Sequence, residues 1–373
     1  MYKNILAGVD SIYFSFVIEQ WILNEADWGA IQCAKEMAQS TRWDNDLSYI
    51  NLAGTDFKVN RSGRPYYEYQ LINGDNNICM HKELYGDKTP NILCRISSEA
   101  LWSKGWITAA LEIKTFAEKL AIIKDCFISQ VDIASDFEGT MPKYDMEQFV
   151  TYARKKRPVY KMKEKQNVKN LMHDNYYGHR HTGYDLGTGA LYCTIYDKSY
   201  EVENSCKGWF KEAWKLNGWN SENMVVRVEF QVQRVALKEL KINSLKDLLE
   251  NIGGLWYYCT HKWLKICEKT KDKNKSRWEL TEFWETVQSV VMGAETHINR
   301  FRQRQYKIES MLKTTFGYIK TIGARQSVNY KVLGLDYVRD ILRTRITDFM
   351  NTEDYLQEIK RKSYKFAEMK VHN

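Results

Sequence analysis

The sequence predicts an α+β protein, with a mixed or antiparallel sheet in its first part and a helical region at its C-terminal end. The chain has 373 residues, which is enough for one large domain or two ordinary ones. Alternating apolar and polar residues mix with helical stretches up to about residue 240, and helical spacing dominates after it. We therefore assign residues 1–240 to a sheet domain and residues 241–373 to a helical region.

The elements of the sheet domain follow from two periodicities. Aromatic and β-branched residues in alternation predict strands, and apolar residues three and four apart predict helices. The predicted strands are "GVDSIYFSFV" at 8–17, a hairpin in "FKVNRSGRPYYEYQLI" at 57–72 that turns at Ser62 and Gly63, the start of "NILCRISSEALW" at 91–102, "CFISQVDIASDF" at 126–137, "ALYCTIYDKSY" at 190–200 and "NMVVRVEFQVQRV" at 223–235. The predicted helices are "WGAIQCAKEMAQS" at 28–40, "WITAALEIKTFAEKLAII" at 106–123 and "MPKYDMEQFVTYARKK" at 141–156.

The helical region opens with Ser244 in an N-cap position, because serine precedes a long stretch with helical spacing. The predicted helices are "SLKDLLENIGGLWYYCTHKWLKICEK" at 244–269, "RWELTEFWETVQSVVMG" at 277–293, "INRFRQRQYKIESMLKTTFGYIKTIG" at 298–323, "LGLDYVRDILRTRITDFM" at 333–350 and "TEDYLQEIKRKSYKFAEM" at 352–369. We expect this region to bind DNA or a partner protein.

Composition narrows the class of protein. Apolar residues make up 44% and charged residues 27%, as in soluble globular proteins. No apolar run reaches the roughly 18 residues of a membrane span, and the N-terminus lacks a signal-peptide layout, so we expect a cytoplasmic protein without a membrane partner. The eight cysteines form no C-x-x-C pair, which argues against a disulfide framework and a zinc ribbon.

Basic residues concentrate in two runs of a chain whose net charge is +8. Residues 154–169 carry eight Lys or Arg and one Glu, and residues 300–307 read "RFRQRQYK". Positive charge interleaved with aromatic residues suits a surface that follows a phosphate backbone and stacks unpaired bases. The candidate DNA-binding residues are Arg154, Lys155, Lys156, Arg157, Lys161, Lys163, Lys165, Arg300, Arg302 and Arg304.

Three of the predicted strands each have a polar face. Since side chains alternate along a strand, Asp132 and Asp136 share one face of "QVDIASDF". Arg227 and Glu229 share the polar face of "VVRVEFQVQRV", opposite four apolar residues. In "LYCTIYDKSYE", Tyr196 and Lys198 point one way and Asp197 the other. If the three strands lie in one sheet, the polar faces converge; otherwise each is an ordinary amphipathic strand.

If the three polar faces converge, their side chains suit the cleavage of a phosphodiester by a tyrosine. A tyrosine hydroxyl is a poor nucleophile at neutral pH, and a neighbouring cation such as Lys198 favours its phenolate. Two or three carboxylates, here Asp132, Asp136 and Glu229, suit a hard divalent cation, Mg²⁺ or Mn²⁺. Such an ion polarises a phosphodiester. The candidate catalytic residues are Tyr196, Lys198 and Arg227, with Arg227 beside the other charged side chains. A tyrosine attacking phosphorus would form a covalent 5′-phosphotyrosine link that conserves the bond for later rejoining.

The three stretches "VDIASD" at 131–136, "IYDKSYE" at 195–201 and "RVEFQ" at 227–231 resemble, in this order, motifs of the Rep_trans rolling-circle replication initiators of small plasmids and some phages, and of related relaxases of conjugative elements. The resemblance covers about residues 5–290. It implies that Tyr196 is the nicking tyrosine and that Asp132, Glu229 and Asp136 are acidic positions of the metal site. One departure is Gln130, where the family often has arginine.

The resemblance implies a metal-dependent nickase that acts on an origin hairpin or a single-stranded nick site. A host helicase and a second copy of the chain are further candidate partners, which the sequence leaves open. So are three alternatives: nicking for conjugative transfer, a non-enzymatic basic DNA-binding protein, and an endonuclease with a His-hydrophobe-His metal strand. The last would need His179 and His181, but "GHRHTG" at 178–183 predicts a loop with surface histidines.

Overall fold

The computed structural model describes residues 2–40, 48–84, 90–151, 172–177, 180–205 and 207–293, together with residues 296, 298 and 300. Its strands are β1 Lys3–Trp21, β2 Tyr49–Leu52, β3 Thr55–Val59, β4 Tyr69–Ile72, β5 Asn76–Met80, β6 Ile92–Ile96, β7 Ala121–Glu138, β8 Phe149–Thr151, β9 Met172–Tyr177, β10 Arg180–Thr188, β11 Leu191–Asp197, β12 Val225–Gln233 and β13 Leu264–Ile266. Its helices are α1 Glu25–Ser40, α2 Ser98–Lys104, α3 Trp106–Leu120, α4 Lys198–Glu203, α5 Trp209–Leu216, α6 Arg234–Glu239, α7 Leu245–Tyr257 and α8 Glu282–Gln288.

A large antiparallel sheet organises the described part of the chain, β8 and β13 pair in a separate two-stranded sheet, and the predicted α+β class is confirmed. The 11 strands of the large sheet follow the order β2-β3-β4-β5-β6-β1-β7-β12-β11-β10-β9, and every neighbouring pair among them is antiparallel. The long strands β1 and β7 lie side by side at the centre of the sheet. Because β12 pairs with β7 and β11 with β12, the three strands with polar faces are direct neighbours.

The two faces of the sheet carry different cores. On one face, the alternate residues Val226, Val228 and Phe230 of β12 are completely buried and pack in a large cluster with residues of α1, α3, α7 and α8. On the other face a small cluster that includes Phe210 and Trp214 of α5 covers one end of the sheet. The polar residues of β7, β11 and β12 therefore lie on the face that only the small cluster covers.

Most predicted elements exist, with shifted ends. The strand at 8–17 extends over the whole of β1, and α1 and β12 match their predictions. The hairpin at 57–72 is formed by β3 and β4, and a tight turn between Arg64 and Tyr67 lies within its loop. The helix predicted over 106–123 ends at Leu120, where β7 begins directly.

Three predictions are wrong. Residues 141–151 do not form a helix: a short 3₁₀ turn at Met146–Gln148 leads into β8, where Phe149 is buried in register with Ile266 of β13. The helix predicted over 244–269 ends earlier, since α7 passes through a π-helical turn at Tyr258–Trp263 into β13. The strand predicted over 190–200 stops at Asp197, whose carboxylate accepts a hydrogen bond from the Tyr200 amide and thereby caps α4.

The region predicted to be helical is described only in part. Residues Met1–Arg302 form one compact unit, in which α7 shares the large cluster with the sheet. The division at residue 240 stays a prediction, and the last three predicted helices lie, apart from residues 298 and 300, outside the described residues. No helix in the described part is long and apolar enough to cross a membrane.

Candidate active site

Strand register brings the candidate residues together on the polar face of the sheet. Arg227 on β12 lies opposite Asp136 on β7 and opposite Tyr196 on β11. Glu229, two residues further along β12, lies on the same face. Asp132 is opposite Gln231, so it extends the row of polar side chains by one more step. The alternation that predicted three polar faces thus holds on three adjacent strands.

Arg227 is completely buried and is held by two carboxylates. Its Nε and Nη2 donate to the two oxygens of Asp136 at 2.5 and 2.8 Å, and its Nη1 donates to Oδ1 of Asp10 at 2.8 Å. Burial alone would lower the pKa of Arg227, but the charges of Asp136 and Asp10 more than offset it and raise the pKa. The guanidinium also lies 4.6 Å from the ring centre of Phe210. This arrangement fixes Arg227 as a permanent cation beside the tyrosine.

Asp136 is occupied by this ion pair. Besides the two bonds from Arg227, its Oδ2 accepts a hydrogen bond of 2.8 Å from the indole nitrogen of Trp214. Both carboxylate oxygens therefore already have donors, and the residue is buried. Asp136 contacts Arg227 and Trp214 where the sequence predicted a metal ligand.

Tyr196 lies between a carboxylate and an ammonium group. Its hydroxyl donates to Oε2 of Glu229 at 3.1 Å, and Nζ of Lys198 lies 3.4 Å from the same hydroxyl. The residue as a whole is partly exposed at the surface of the sheet. Burial by its neighbours and the charge of Glu229 raise the pKa of Tyr196. With its pKa raised, the tyrosine is a neutral phenol whose hydroxyl donates to Glu229, and the favourable effect of Lys198 on the phenolate stays a prediction.

Lys198 reaches the tyrosine from the first turn of α4 rather than along a strand. It is buried, forms an ion pair with Glu201 at 2.5 Å and lies 4.5 Å from the ring centre of Phe210. Burial and the charge of Arg227 lower the pKa of Lys198. Glu201 is shared with Lys207, whose Nζ lies 2.9 Å from its other oxygen. The ammonium group of Lys198 therefore lies beside Tyr196, as predicted, but the helix that begins after Asp197 puts it there, not the alternation of side chains along a strand.

The second group of carboxylates consists of Asp10, Asp132 and Glu229. Burial, followed by the charge of Glu229, raises the pKa of Asp132 to about 8. Burial and the charge of Asp10 raise the pKa of Glu229. Asp132 also accepts two hydrogen bonds from Nε2 of Gln130, at 3.0 and 3.2 Å. The charge of Asp10 thus makes Glu229 harder to ionise, and the charge of Glu229 does the same to Asp132. A bound cation would offset this repulsion between carboxylates.

Carboxylates with raised pKa values fit a divalent cation. Among the described residues no set of three acidic, His or Cys side chains is arranged to hold one ion at once. Mg²⁺, however, is commonly bound by one or two carboxylates together with water and substrate phosphates. Asp132 and Glu229 match that need, whereas Asp136 is paired with Arg227.

Asp10 is the residue that sequence reasoning missed. It lies in β1 at an irregularity in the pairing with β7 between Val9 and Ser11. Besides Arg227, the indole nitrogen of Trp102 and the hydroxyl of Ser98 donate to its Oδ1, at 3.2 and 2.9 Å. Burial would raise the pKa of Asp10, but the charges of Arg227 and Lys198 lower it to about 2. The same signal that singled out Asp132, an aspartate within a strand, was present in "GVDSIYF".

Gly183 gives Tyr196 its space. The two residues are paired in register between β10 and β11. A Cβ atom on Gly183 would lie 2.3 Å from the carbonyl oxygen of Ile195 and 3.0 Å from Cα of Tyr196. Since β10 approaches β11 this closely, any larger residue displaces the strand that carries the tyrosine.

The other predicted residues are only partly described. Arg300 has little exposure and forms an ion pair with Glu239. His181 lies in β10 with its ring against that of Tyr184, so the predicted loop at 178–183 is wrong at that residue. His179 and the remaining DNA-binding candidates are outside the described residues: Arg154, Lys155, Lys156, Arg157, Lys161, Lys163, Lys165, Arg302 and Arg304.

No protein-family model matches the chain, and no curated protein matches it. The chain is similar to the structure of a rolling circle replication initiator protein from Geobacillus stearothermophilus, with 12% sequence identity and a TM-score of 0.38. The match covers 79% of this chain and 100% of the other.

Proposed function

We propose that this chain nicks and rejoins one strand of DNA through Tyr196, as an initiator of rolling-circle replication. One observation carries the proposal: the hydroxyl of Tyr196, a partly exposed residue, lies between the carboxylate of Glu229 and the ammonium group of Lys198. The motif order that resembles the Rep_trans initiators supports the same reading. Nicking for conjugative transfer would use the same step on a different site in DNA.

The residues divide the chemistry among them. Oη of Tyr196 attacks phosphorus while its proton passes to Glu229, which already accepts the hydrogen bond. The bond between phosphorus and the 3′ oxygen breaks, and that oxygen leaves as a 3′-hydroxyl after taking up a proton. Lys198, next to the hydroxyl, stabilises the negative charge that gathers on the phosphoryl oxygens and the phenolic oxygen. The 5′-phosphotyrosine bond retains the free energy needed for rejoining by the reverse steps.

A divalent cation, Mg²⁺ or Mn²⁺, would be held by Asp132 and Glu229, with Asp10 beside them. When bound, it polarises the phosphodiester and offsets charge that builds up in the transition state. Arg227 and Asp136 then act as a positioning pair, because their contacts are with each other and with Asp10. Gln130 orients Asp132 through its two hydrogen bonds.

The decisive experiment traps the covalent intermediate. Single-stranded oligonucleotides that tile the DNA flanking the gene are incubated with the protein and Mg²⁺ or Mn²⁺, and the mixture is denatured and digested. We expect a protein–DNA adduct, with a 5′-phosphoryl nucleotide on the peptide that contains Tyr196. Cleaved DNA without attached protein would mean that water is the nucleophile. Binding without cleavage of any oligonucleotide or of the supercoiled region would favour the non-enzymatic alternative.

A further prediction concerns pH and the cation. The carboxyl of Asp132 has a pKa of about 8 in the fold, against an ordinary value of 3.8. Between these values the folded chain binds more protons than the unfolded chain, so the free energy of unfolding falls as pH rises, by up to about 1.4 kcal/mol per pH unit. Without divalent cation, the Tm of the wild-type chain is therefore expected to fall more steeply from pH 4 to 8 than that of Asp132→Asn.

The effect of added Mg²⁺ or Mn²⁺ on the Tm is the control for this prediction. At pH 8, MgCl₂ or MnCl₂ is expected to raise the Tm of the wild-type chain and to have a much smaller effect on Asp132→Asn, which keeps the shape but not the charge. NaCl at matched ionic strength corrects for screening. If the two proteins follow the same curve with pH and with the cation, Asp132 is not part of a cation site.

A further inference from the structure

A cavity of about 290 Å³ lies beside the candidate active site and shares Asp10 with it. It lies between the turn that joins β4 to β5, the start of α2 and the start of α5. Its volume is at the lower limit of pockets for drug-sized ligands, roughly 300–1,000 Å³, so it suits a single base better than a large ligand. Asp10 also accepts a hydrogen bond from Arg227, which is paired with Tyr196, so the cavity adjoins the side of the site where the scissile phosphate would lie.

An aromatic side chain forms one wall of the cavity. Trp209, at the start of α5, is partly exposed and its ring stacks on that of Phe210, with 3.8 Å between ring centres and 23° between planes. Phe210 is completely buried and lies under both Lys198 and Arg227. The orientation of Trp209 is thus fixed by the same ring that supports the two cations of the active site. A fixed, accessible indole is a stacking surface for a base of any sequence.

The polar wall carries hydrogen-bonding groups rather than a net charge. Asn77 lines the cavity, and its Oδ1 accepts a hydrogen bond of 3.0 Å from Gln70, which orients the amide group. Arg95, paired with Asn77 across β5 and β6, lies over the ring of Tyr13 at 5.5 Å. Asparagine and arginine are the side chains that most often bind base edges.

The charges of the lining decide between a base and a phosphate. Arg95 and Lys207 are balanced by Asp10 and Glu99, and Lys207 is already paired with Glu201. A site for a phosphate group requires an excess of positive charge, which this lining lacks. A neutral base with hydrogen-bonding edges meets both requirements of the cavity, one apolar wall and one polar wall.

We propose that this cavity binds one unpaired base of the DNA strand next to the scissile phosphate, with Trp209 as its stacking surface and Arg95 and Asn77 at its edge. The proposal rests on the proposed function, since it assigns a part of the substrate to the same site. Binding of this base in the cavity would hold the DNA strand in place while its scissile phosphate faces Tyr196. Trp209 is therefore a substrate-binding residue outside the motifs that identify the catalytic strands.

The test measures binding of two fluorescent probes without added divalent cation, so that cleavage does not compete. One probe is the oligonucleotide dT12, and the other is a 12-nucleotide abasic chain with the same backbone. Base stacking on an aromatic side chain changes affinity by about 5- to 100-fold per base. We expect Trp209→Ala to weaken dT12 binding by about 10-fold or more and to leave the abasic probe unchanged. Trp209→Phe, which keeps a ring, is expected to retain most of the affinity.

Trp21→Ala is the matched control. Trp21 is also partly exposed, but it lies at the end of β1 against Trp28 of α1. We expect the Trp21→Ala variant to bind both probes with the affinity of the wild type. Thermal unfolding of every variant checks that the fold is kept. Equal loss for both probes in Trp209→Ala, or no loss, overturns the base pocket. If Tyr196 still forms the covalent adduct in that case, only the base-pocket proposal is wrong. If the wild-type chain neither binds DNA nor forms the adduct, the proposed function is wrong as well.

Discussion

Tyr196→Phe is expected to abolish the covalent protein–DNA adduct and to lower nicking of supercoiled DNA by at least ~10⁴-fold, as removal of a nucleophile does in other covalent enzymes. The substitution removes only the hydroxyl, which donates to Glu229 and accepts from Lys198. The ring, which fills the space next to Gly183, stays in place. DNA binding should therefore remain within about threefold of the wild type, and the loss should be in the chemical step.

Tyr192→Phe is the control for this result. Tyr192 is on the same strand, on the same face and also partly exposed, but it lies opposite Gln231 rather than Arg227. We expect it to nick at the rate of the wild type. The measurement is single-turnover cleavage of the oligonucleotide that gives the adduct, with binding measured on the same DNA. Retention of cleavage in Tyr196→Phe, or equal losses in the two variants, would remove Tyr196 from the role of nucleophile.

The position of the tyrosine was predictable because it depends on local alternation. Val226, Val228 and Phe230 are apolar and buried, so the side chains between them must face the other way, and the same holds along β11. Strand adjacency follows less directly, since pairing of β7 with β12 joins residues 91 positions apart, as the bond between Asp136 and Arg227 shows. The three polar faces nevertheless lie on the same side of the sheet. The opposite side packs in the large apolar cluster, where these charged side chains would be buried without partners.

Other features could not be derived from strand periodicity. Lys198 was placed beside Tyr196 by alternation, but its strand ends one residue earlier and the capping bond of Asp197 starts a helix there. The role of Asp136 depends on Trp214 and Arg227, which lie 78 and 91 residues away in the sequence. Asp10 joins the site through an irregularity in strand pairing. In each case a contact that the pattern does not encode decides what the side chain does.

The candidate metal ligands are a further example. Acidic residues on a strand predicted metal ligands, yet strand alternation cannot separate a carboxylate that faces a cation from one that faces an arginine. In the fold, Asp136 has Arg227 and Trp214 as donors, whereas Asp132 has Gln130 and a neighbouring carboxylate. The difference in partners, rather than residue type, makes Asp132 the better candidate for a cation that a phosphodiester also contacts.

The second large effect is expected from Arg227→Met, which should lower the free energy of unfolding by about 3–5 kcal/mol. The substitution keeps an unbranched apolar stem but removes the guanidinium over Phe210, and it leaves Asp10 and Asp136 without their shared cation. Arg227 is completely buried, so water cannot replace it. Urea unfolding gives the change in the midpoint and in the free energy of unfolding.

Two comparisons separate this explanation from a general loss of packing. Lys215→Met removes an exposed ion pair with Glu212, and it should cost at most about 1 kcal/mol. The double variant Arg227→Met with Asp136→Asn should recover part of the stability, because the asparagine removes one uncompensated charge while it still accepts from Trp214. It should not recover nicking, since Lys198 and the tyrosine hydroxyl still lack the neighbouring guanidinium. If Arg227→Met costs no more than Lys215→Met, the buried pair does not hold the site together, and the positioning role of Asp136 has to be abandoned.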